Sequence, residues 1–137
     1  MVRIVIVDDH KLVREAWSML LGRDKRLNVI AICENGQEVI NYIKDNEADI
    51  ILMDINMEPV NGIEATRLIR KFNQEIKILG NSVHTDLPYV KALMESGANG
   101  YVTKNSSGAE MIQAIFEVLN GNVFYCKEIT ALQKNND

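Results

Sequence analysis

The stretch Ile50-Ile51-Leu52-Met53-Asp54-Ile55-Asn56-Met57 decides the fold. Four apolar residues run straight into one aspartate. A continuous apolar run bounded by polar residues reads as a strand buried on both faces, as in a parallel sheet covered by helices. Gly62 closes a loop shortly after, within Glu58-Pro59-Val60-Asn61-Gly62. A carboxylate at the end of such a strand lies at the rim of the sheet, where open α/β sheets place their ligand sites.

The same pattern recurs outward in both directions. Arg3 to Val7 is apolar and β-branched, a first strand that ends on Asp8-Asp9-His10. A helix follows from about Lys11 to Leu21, with Leu12, Ala16, Met19 and Leu20 at helical spacing and Gly22 at its end. Val29 to Cys33 is a second strand, and Asn35 is placed to cap a helix carrying Val39, Ile40 and Ile43. Beyond Gly62, Ile63 to Phe72 is a third helix, and Ile76 to about Asn81 a fourth strand with Ser82 at its end. Asp86 and Pro88 mark the start of a fourth helix, which Gly97-Ala98-Asn99-Gly100 ends. Tyr101-Val102-Thr103 is a short fifth strand ending on Lys104. Ser107 and Glu110 have capping-box spacing before an amphipathic helix that reaches Asn120-Gly121. Strand and helix therefore alternate five times. This predicts an α/β fold with a five-stranded parallel doubly wound sheet in the order 2-1-3-4-5. The domain is expected to span residues 1–121. The pattern fades over 122–137, which reads as the start of a linker.

Size and composition agree with one ordinary domain. The chain has 137 residues, an apolar share of 47% and a net charge of −4, with a pI near 5.2. That balance offers no basic footprint for nucleic acid. Cys33 and Cys126 lack metal-type spacing and read as free thiols in a reducing cytosol, so a cytoplasmic location is expected. No apolar run approaches the roughly 20 residues of a membrane helix. Met1-Val2-Arg3 runs directly into a strand, and no signal peptide is expected before it.

Parallel strands deliver their C-terminal ends to one edge, and strands one and three are neighbours in the predicted order. Asp8, Asp9 and Asp54 therefore converge, with Ser82 and Lys104 beside them. Each alone has a plain explanation: an Asp-Asp pair caps the next helix, Ser82 ends a turn, and Lys104 is a solvated charge. Their joint placement on one edge carries the functional reading. Three close carboxylates cannot all ionise cheaply, and a divalent cation relieves the cost. Oxygen-only ligands favour Mg²⁺. The set suits phosphoryl transfer, with Asp54 as the nucleophile. His10 and His84 are the only histidines, so a zinc site or a triad is poorly supported. His84 reads as a surface loop residue, Tyr101 as a half-buried strand aromatic, and Trp17 and the methionines as packing or surface groups.

Four motifs carry a resemblance: Val5-Ile6-Val7-Asp8-Asp9-His10, Leu52-Met53-Asp54 through Gly62, Ser82-Val83-His84 and Gly100-Tyr101-Val102-Thr103-Lys104. Over about residues 2–121 the chain resembles the receiver domain of bacterial two-component response regulators, with its flavodoxin-like (βα)5 fold. Val13-Arg14-Glu15-Ala16 and Gly62-Ile63-Glu64-Ala65-Thr66 resemble the subfamily whose members carry a C-terminal LuxR-type helix-turn-helix. The resemblance implies that Asp54 accepts a phosphoryl group from a sensor histidine kinase. It implies Asp9 as a direct Mg²⁺ ligand, Asp8 as a support through water, and Asn56 as the donor of a backbone carbonyl to the metal. Ser82 and Lys104 would engage phosphoryl oxygens, and the Tyr101 rotamer would follow a shift of Ser82. Phosphorylation would then promote homodimerisation and control DNA binding, and so transcription, through an output domain absent from these residues. The domain would be a switch rather than an enzyme, and no membrane partner is implied.

The chain departs from that pattern in three places. Glu58 stands where the family usually has Pro, with Pro59 one residue later. Gly80 and Asn81 precede Ser82 where the strand usually stays apolar, which leads us to expect a mobile strand end. Asn105 follows Lys104 where Pro is common. Two rivals differ in class. A receiver-fold module that signals by binding alone would fail to bind Mg²⁺. A Mg²⁺-dependent phosphatase would usually carry a second Asp at the position of Asn56, and would turn over an external phosphate ester.

Overall fold

The computed structural model describes residues 1–135. The elements in chain order are β1 (Val2–Val7), α1 (Lys11–Gly22), β2 (Leu27–Cys33), α2 (Gly36–Asp45), β3 (Ile50–Met53), α3 (Gly62–Arg70), β4 (Lys77–Ser82), α4 (Leu87–Glu95), β5 (Gly100–Thr103), α5 (Gly108–Leu119), β6 (Phe124–Tyr125) and α6 (Lys127–Asn135). The strands form one parallel sheet in the order β2-β1-β3-β4-β5-β6.

The order of the first five strands is the one expected, but the sheet has six strands rather than five. β6 is only two residues long. It pairs through Gly100↔Phe124 and Tyr101↔Tyr125, and the Cys126 N–H donates to the Tyr101 carbonyl at 3.1 Å. So short a strand leaves no alternation to read, and its pairing with β5 is a tertiary contact. α6 follows, packed on β5 and α4 with Ile129 fully buried. Both elements fall in the stretch where the sequence pattern fades. Asn136 and Asp137, the end of that stretch, lie outside the described residues.

β3 is the centre of the core. All four of its residues are buried, between β1 and β4 and beneath helices. Burying an aliphatic side chain contributes about 1.5–3 kcal/mol, so this short strand anchors the sheet. Local sequence chemistry sets the helix starts. Asn35, Asn61 and Ser107 each accept from the backbone N–H three residues on, and so satisfy one of the orphan donors of α2, α3 and α5. The capping box at Ser107 is not reciprocal. Glu110 instead accepts from the Lys127 N–H at 2.9 Å, and so caps α6. Asp86 stands at the N-cap position of α4 without a side-chain cap bond, and α3 ends at Arg70, two residues earlier than expected.

The two unusual residues of β4 have packing reasons. A Cβ at Gly80 would run into Leu93 and lie 3.0 Å from Tyr101, so the strand leaves room for both side chains. Asn81 is buried, with its amide 3.4 Å from the Thr103 carbonyl. Gly80, Asn81 and Ser82 pair in register with Tyr101, Val102 and Thr103.

Gly62 governs the loop after Asp54. Its N–H donates to the Ile55 carbonyl at 2.8 Å, and a Cβ there would fall on the Asp54 carbonyl oxygen. Because that obstacle is backbone, it cannot swing aside. Gly62→Ala is expected to destabilise the fold by about 3 kcal/mol, at the upper end of overpacking costs. Urea unfolding of the two chains measures it, and an unchanged midpoint would refute it.

Candidate functional site

Asp8, Asp54, Ser82 and Lys104 stand at or just past the ends of their strands, where the sheet's hydrogen-bond ladder positions them. The Asp8 N–H donates to the Cys33 carbonyl at 3.1 Å, the Asp54 N–H to the Val7 carbonyl at 3.0 Å, and the Lys104 N–H to the Ser82 carbonyl at 2.9 Å. The backbones of these residues are thus as fixed as the strands they follow.

The side chains then converge. One ligand atom from each of Asp8, Asp9, His10 and Asp54 lies within 4.8 Å of the others. Asp8 and Asp54 are buried, whereas Asp9 and His10 face solvent. The Lys104 ammonium, itself largely buried, lies 2.7 Å from Asp8 Oδ2 and 3.3 Å from Asp54 Oδ2. Asp54 Oδ1 accepts from the Ile55 N–H at 2.8 Å. The His10 imidazole lies between the buried Asp8 and the exposed Asp9 carboxylates, with Nδ1 3.1 Å from Asp8 Oδ1 and 2.9 Å from Asp9 Oδ1. Asp9 also lines an open cleft with Asn56, Met57, Glu58, Pro59 and Asn61. The shifted proline therefore sits at the mouth of the site, where Glu58–Pro59 is the cis peptide of the described residues.

The remaining candidates meet at His84. The Ser82 hydroxyl is buried and accepts from the His84 N–H at 3.2 Å. The Tyr101 phenol donates to the His84 carbonyl at 2.8 Å. Asn56 Nδ2 lies 2.6 Å from His84 Nε2, and the imidazole stacks on Tyr89 with ring centroids 4.4 Å apart. The sequence reads His84 as a surface loop residue, yet its ring is partly buried and joins the β3–α3 loop to α4. No periodic signal marks such a residue; its two-residue spacing from Ser82 is the one local clue. Tyr101 is fully buried rather than half-buried, and burial pushes its phenol up to about 12, so it remains a proton donor.

The electrostatics show why the cluster favours a cation. Burial, reinforced by the neighbouring Asp8 charge, raises the Asp54 carboxyl from 3.8 to about 6, against the opposing pull of Lys104. Asp8 and Asp54 share the Lys104 ammonium, Asp9 adds a third carboxylate, and their oxygens form a hard donor set of the kind divalent cations prefer. The acidic pocket of Asp8, Asp9 and Asp54 fits a metal ion.

A pH dependence follows. A carboxyl raised in the folded state binds its proton more tightly there than in the unfolded chain. Its contribution is therefore most favourable below pH 3.8 and is lost as pH rises through about 6. In EDTA, Asp54→Asn is expected to gain stability over the parent between pH 4.5 and 7.5, by up to about 2 kcal/mol, the part of the rise from 3.8 to about 6 that titrates in that window. Thermal melts at both pH values measure this. A gap that shrinks as pH rises would overturn it.

Comparison with known proteins agrees with this geometry. Residues 4–116 match the family model described as the response regulator receiver domain. The transcriptional regulatory protein LnrK of Bacillus subtilis (strain 168) is 37% identical over 135 residues, covering 98% of this chain and 61% of its own length. The transcriptional regulatory protein DegU of Brevibacillus brevis is 36% identical over 129 residues, covering 94% of this chain and 55% of its own length. The chain thus spans between half and two thirds of the curated relatives it matches. A solved two-component response regulator of the LuxR family, from Aurantimonas sp. SI85-9A1, superimposes with a TM-score of 0.92 at 34% identity, covering 98% of both chains. The chain belongs to the response regulator receiver domain family, and within it is related to the LuxR-type regulators.

Proposed function

We propose that Asp54 is the phosphoacceptor of an aspartate switch driven by a sensor histidine kinase. Receiver domains of this family are signalling switches, and the proposal assigns residues to that role. The observation that carries it is the position of Lys104, which bridges Asp8 and Asp54 at 2.7 and 3.3 Å within a pocket of three carboxylates.

In this reading an Asp54 carboxylate oxygen attacks the phosphorus of a phosphohistidine. The P–N bond breaks, and the electron pair stays on the imidazole nitrogen, so no external oxidant or co-reactant is needed. Lys104 is placed to leave Asp54 for a phosphoryl oxygen, where its charge offsets the charge of the transferred group. Ser82 receives a hydrogen bond from the His84 N–H and keeps its own proton to donate to a second phosphoryl oxygen. Asp8, Asp9, Asp54 and the Asn56 backbone carbonyl would hold Mg²⁺, which when bound neutralises charge on the phosphoryl oxygens. The bond from Tyr101 to the His84 carbonyl links β5 to the loop after Ser82, so a shift of Ser82 would be felt at Tyr101. The same chemistry would let small phosphodonors load Asp54.

The remaining parts of the proposal concern the whole regulator. Residues 1–121 form the receiver, and 122–137, with β6 and α6, begin the connection to an output domain. Phosphorylation favours a homodimer and so controls DNA binding and transcription through that domain, in the cytoplasm. The greater length of the curated relatives supports the output domain. Among the described residues no helix is long and apolar enough to cross a membrane.

Intact mass after incubation with acetyl phosphate tests the chemistry. A Mg²⁺-dependent gain of about 80 Da, the phosphoryl increment on an aspartate nucleophile, is expected in this chain and not in Asp54→Asn. No adduct under any condition would favour a receiver fold that signals by binding alone.

A further inference from the structure

We infer that Arg14 is a positioning residue of the acidic site, holding the Asp8–Asp9 peptide in the orientation that brings both carboxylates to one cation. The inference rests on the metal-assisted reading of the site given above.

Arg14 lies on α1, one turn past His10, and its side chain is only 11% exposed. Its Nη1 donates to the Asp8 main-chain carbonyl at 2.8 Å. The other end of the guanidinium is 3.6 Å from Glu34 Oε1, on a glutamate that faces solvent. An exposed pair at that distance contributes little, so the carbonyl is the partner that matters. A charged donor on a neutral acceptor makes a strong bond, and a buried carbonyl that loses its donor is costly.

This bond completes the fixing of Asp8. Its N–H is tied to Cys33, its Oδ1 accepts from the His10 N–H at 2.8 Å, and its Oδ2 pairs with Lys104. The Asp8 carbonyl belongs to the planar peptide that leads into Asp9. Its direction therefore sets where Asp9 starts. Asp9 needs that help more than its neighbours do. Its side chain is 43% exposed, and its recorded partner is the His10 imidazole. Asp54 and Asp8 are held by the sheet ladder, whereas Asp9 follows the peptide that Arg14 grips. Groups that orient metal ligands without touching the metal typically change affinity by 10–100-fold when removed. A guanidinium has several donors in a fixed fork, and a lysine in its place would keep the charge while losing that geometry.

The test uses the 137-residue chain and Mg²⁺ as the probe. Isothermal titration gives Kd, and acetyl phosphate labelling against Mg²⁺ concentration gives the half-saturation point and the plateau. Arg14→Met keeps the aliphatic stem and removes the donors. It is expected to raise the Mg²⁺ Kd about tenfold, at the low end of such effects, and to shift half-saturation equally with the plateau within about twofold. Glu34→Gln is expected to leave Kd within about twofold, as for an exposed pair. A purely structural arginine would lower the melting temperature and leave the parent's Kd, and that result overturns the inference. So does a fall in plateau at unchanged half-saturation. If Arg14→Met does not fold, Arg14→Lys carries the test: a Kd equal to the parent's refutes the role, and a raised Kd supports it. A parent chain that takes up no Mg²⁺ instead removes the functional reading beneath the inference, and is told apart by the parent titration alone.

Discussion

Three carboxylates meet at the rim of this sheet beside one largely buried ammonium. Asp8 and Asp54 are buried and share Lys104, while Asp9 waits at the surface beside His10. Burying like charges is unfavourable, and the raised Asp54 carboxyl records the imbalance. The arrangement holds because the fold leaves these groups no retreat. Asp8, Asp54 and Lys104 each donate a main-chain N–H to the neighbouring strand. The stability of a hydrophobic parallel sheet thus holds together a cluster that would otherwise spread apart.

The periphery of the site is built differently. His84 gathers Ser82, Tyr101, Asn56 and Tyr89 through main-chain and ring contacts. Its links run from the loop after Asp54 to the start of α4 and to the middle of β5. β5 in turn carries β6 along its outer edge, with Tyr101 opposite Tyr125. A displacement at Ser82 therefore has a continuous route of contacts to the C-terminal elements. Glu110 on α5 caps α6 at Lys127, so the last helix is tied to the fold through a second element.

Much of this was legible from residues alone. A buried parallel strand must be apolar on both faces, so Ile50–Met53 announced itself, and the first polar residue after it had to stand at the rim. Asn35 and Ser107 were readable as caps because N-capping is local chemistry. Other features had no local signal. Gly80 looks like a weak point in a strand until Leu93 and Tyr101 are seen to need its space. The histidine at position 84 reads as a loop residue until its ring meets Asn56, 28 residues away.

The sequence by itself determined the alternation of strand and helix, the order of five strands and the set of acidic, hydroxyl and ammonium groups at one edge. Periodicity and strand-end position are properties of neighbouring residues, and the parallel topology follows from them. The tertiary structure alone decided the sixth strand and helix, the meeting of four side chains at His84, and the grip of Arg14 on the Asp8 carbonyl. Each of these depends on the distance between groups brought together by folding, and each relies in part on main-chain atoms that every residue carries alike. Such contacts have no residue type of their own to announce them.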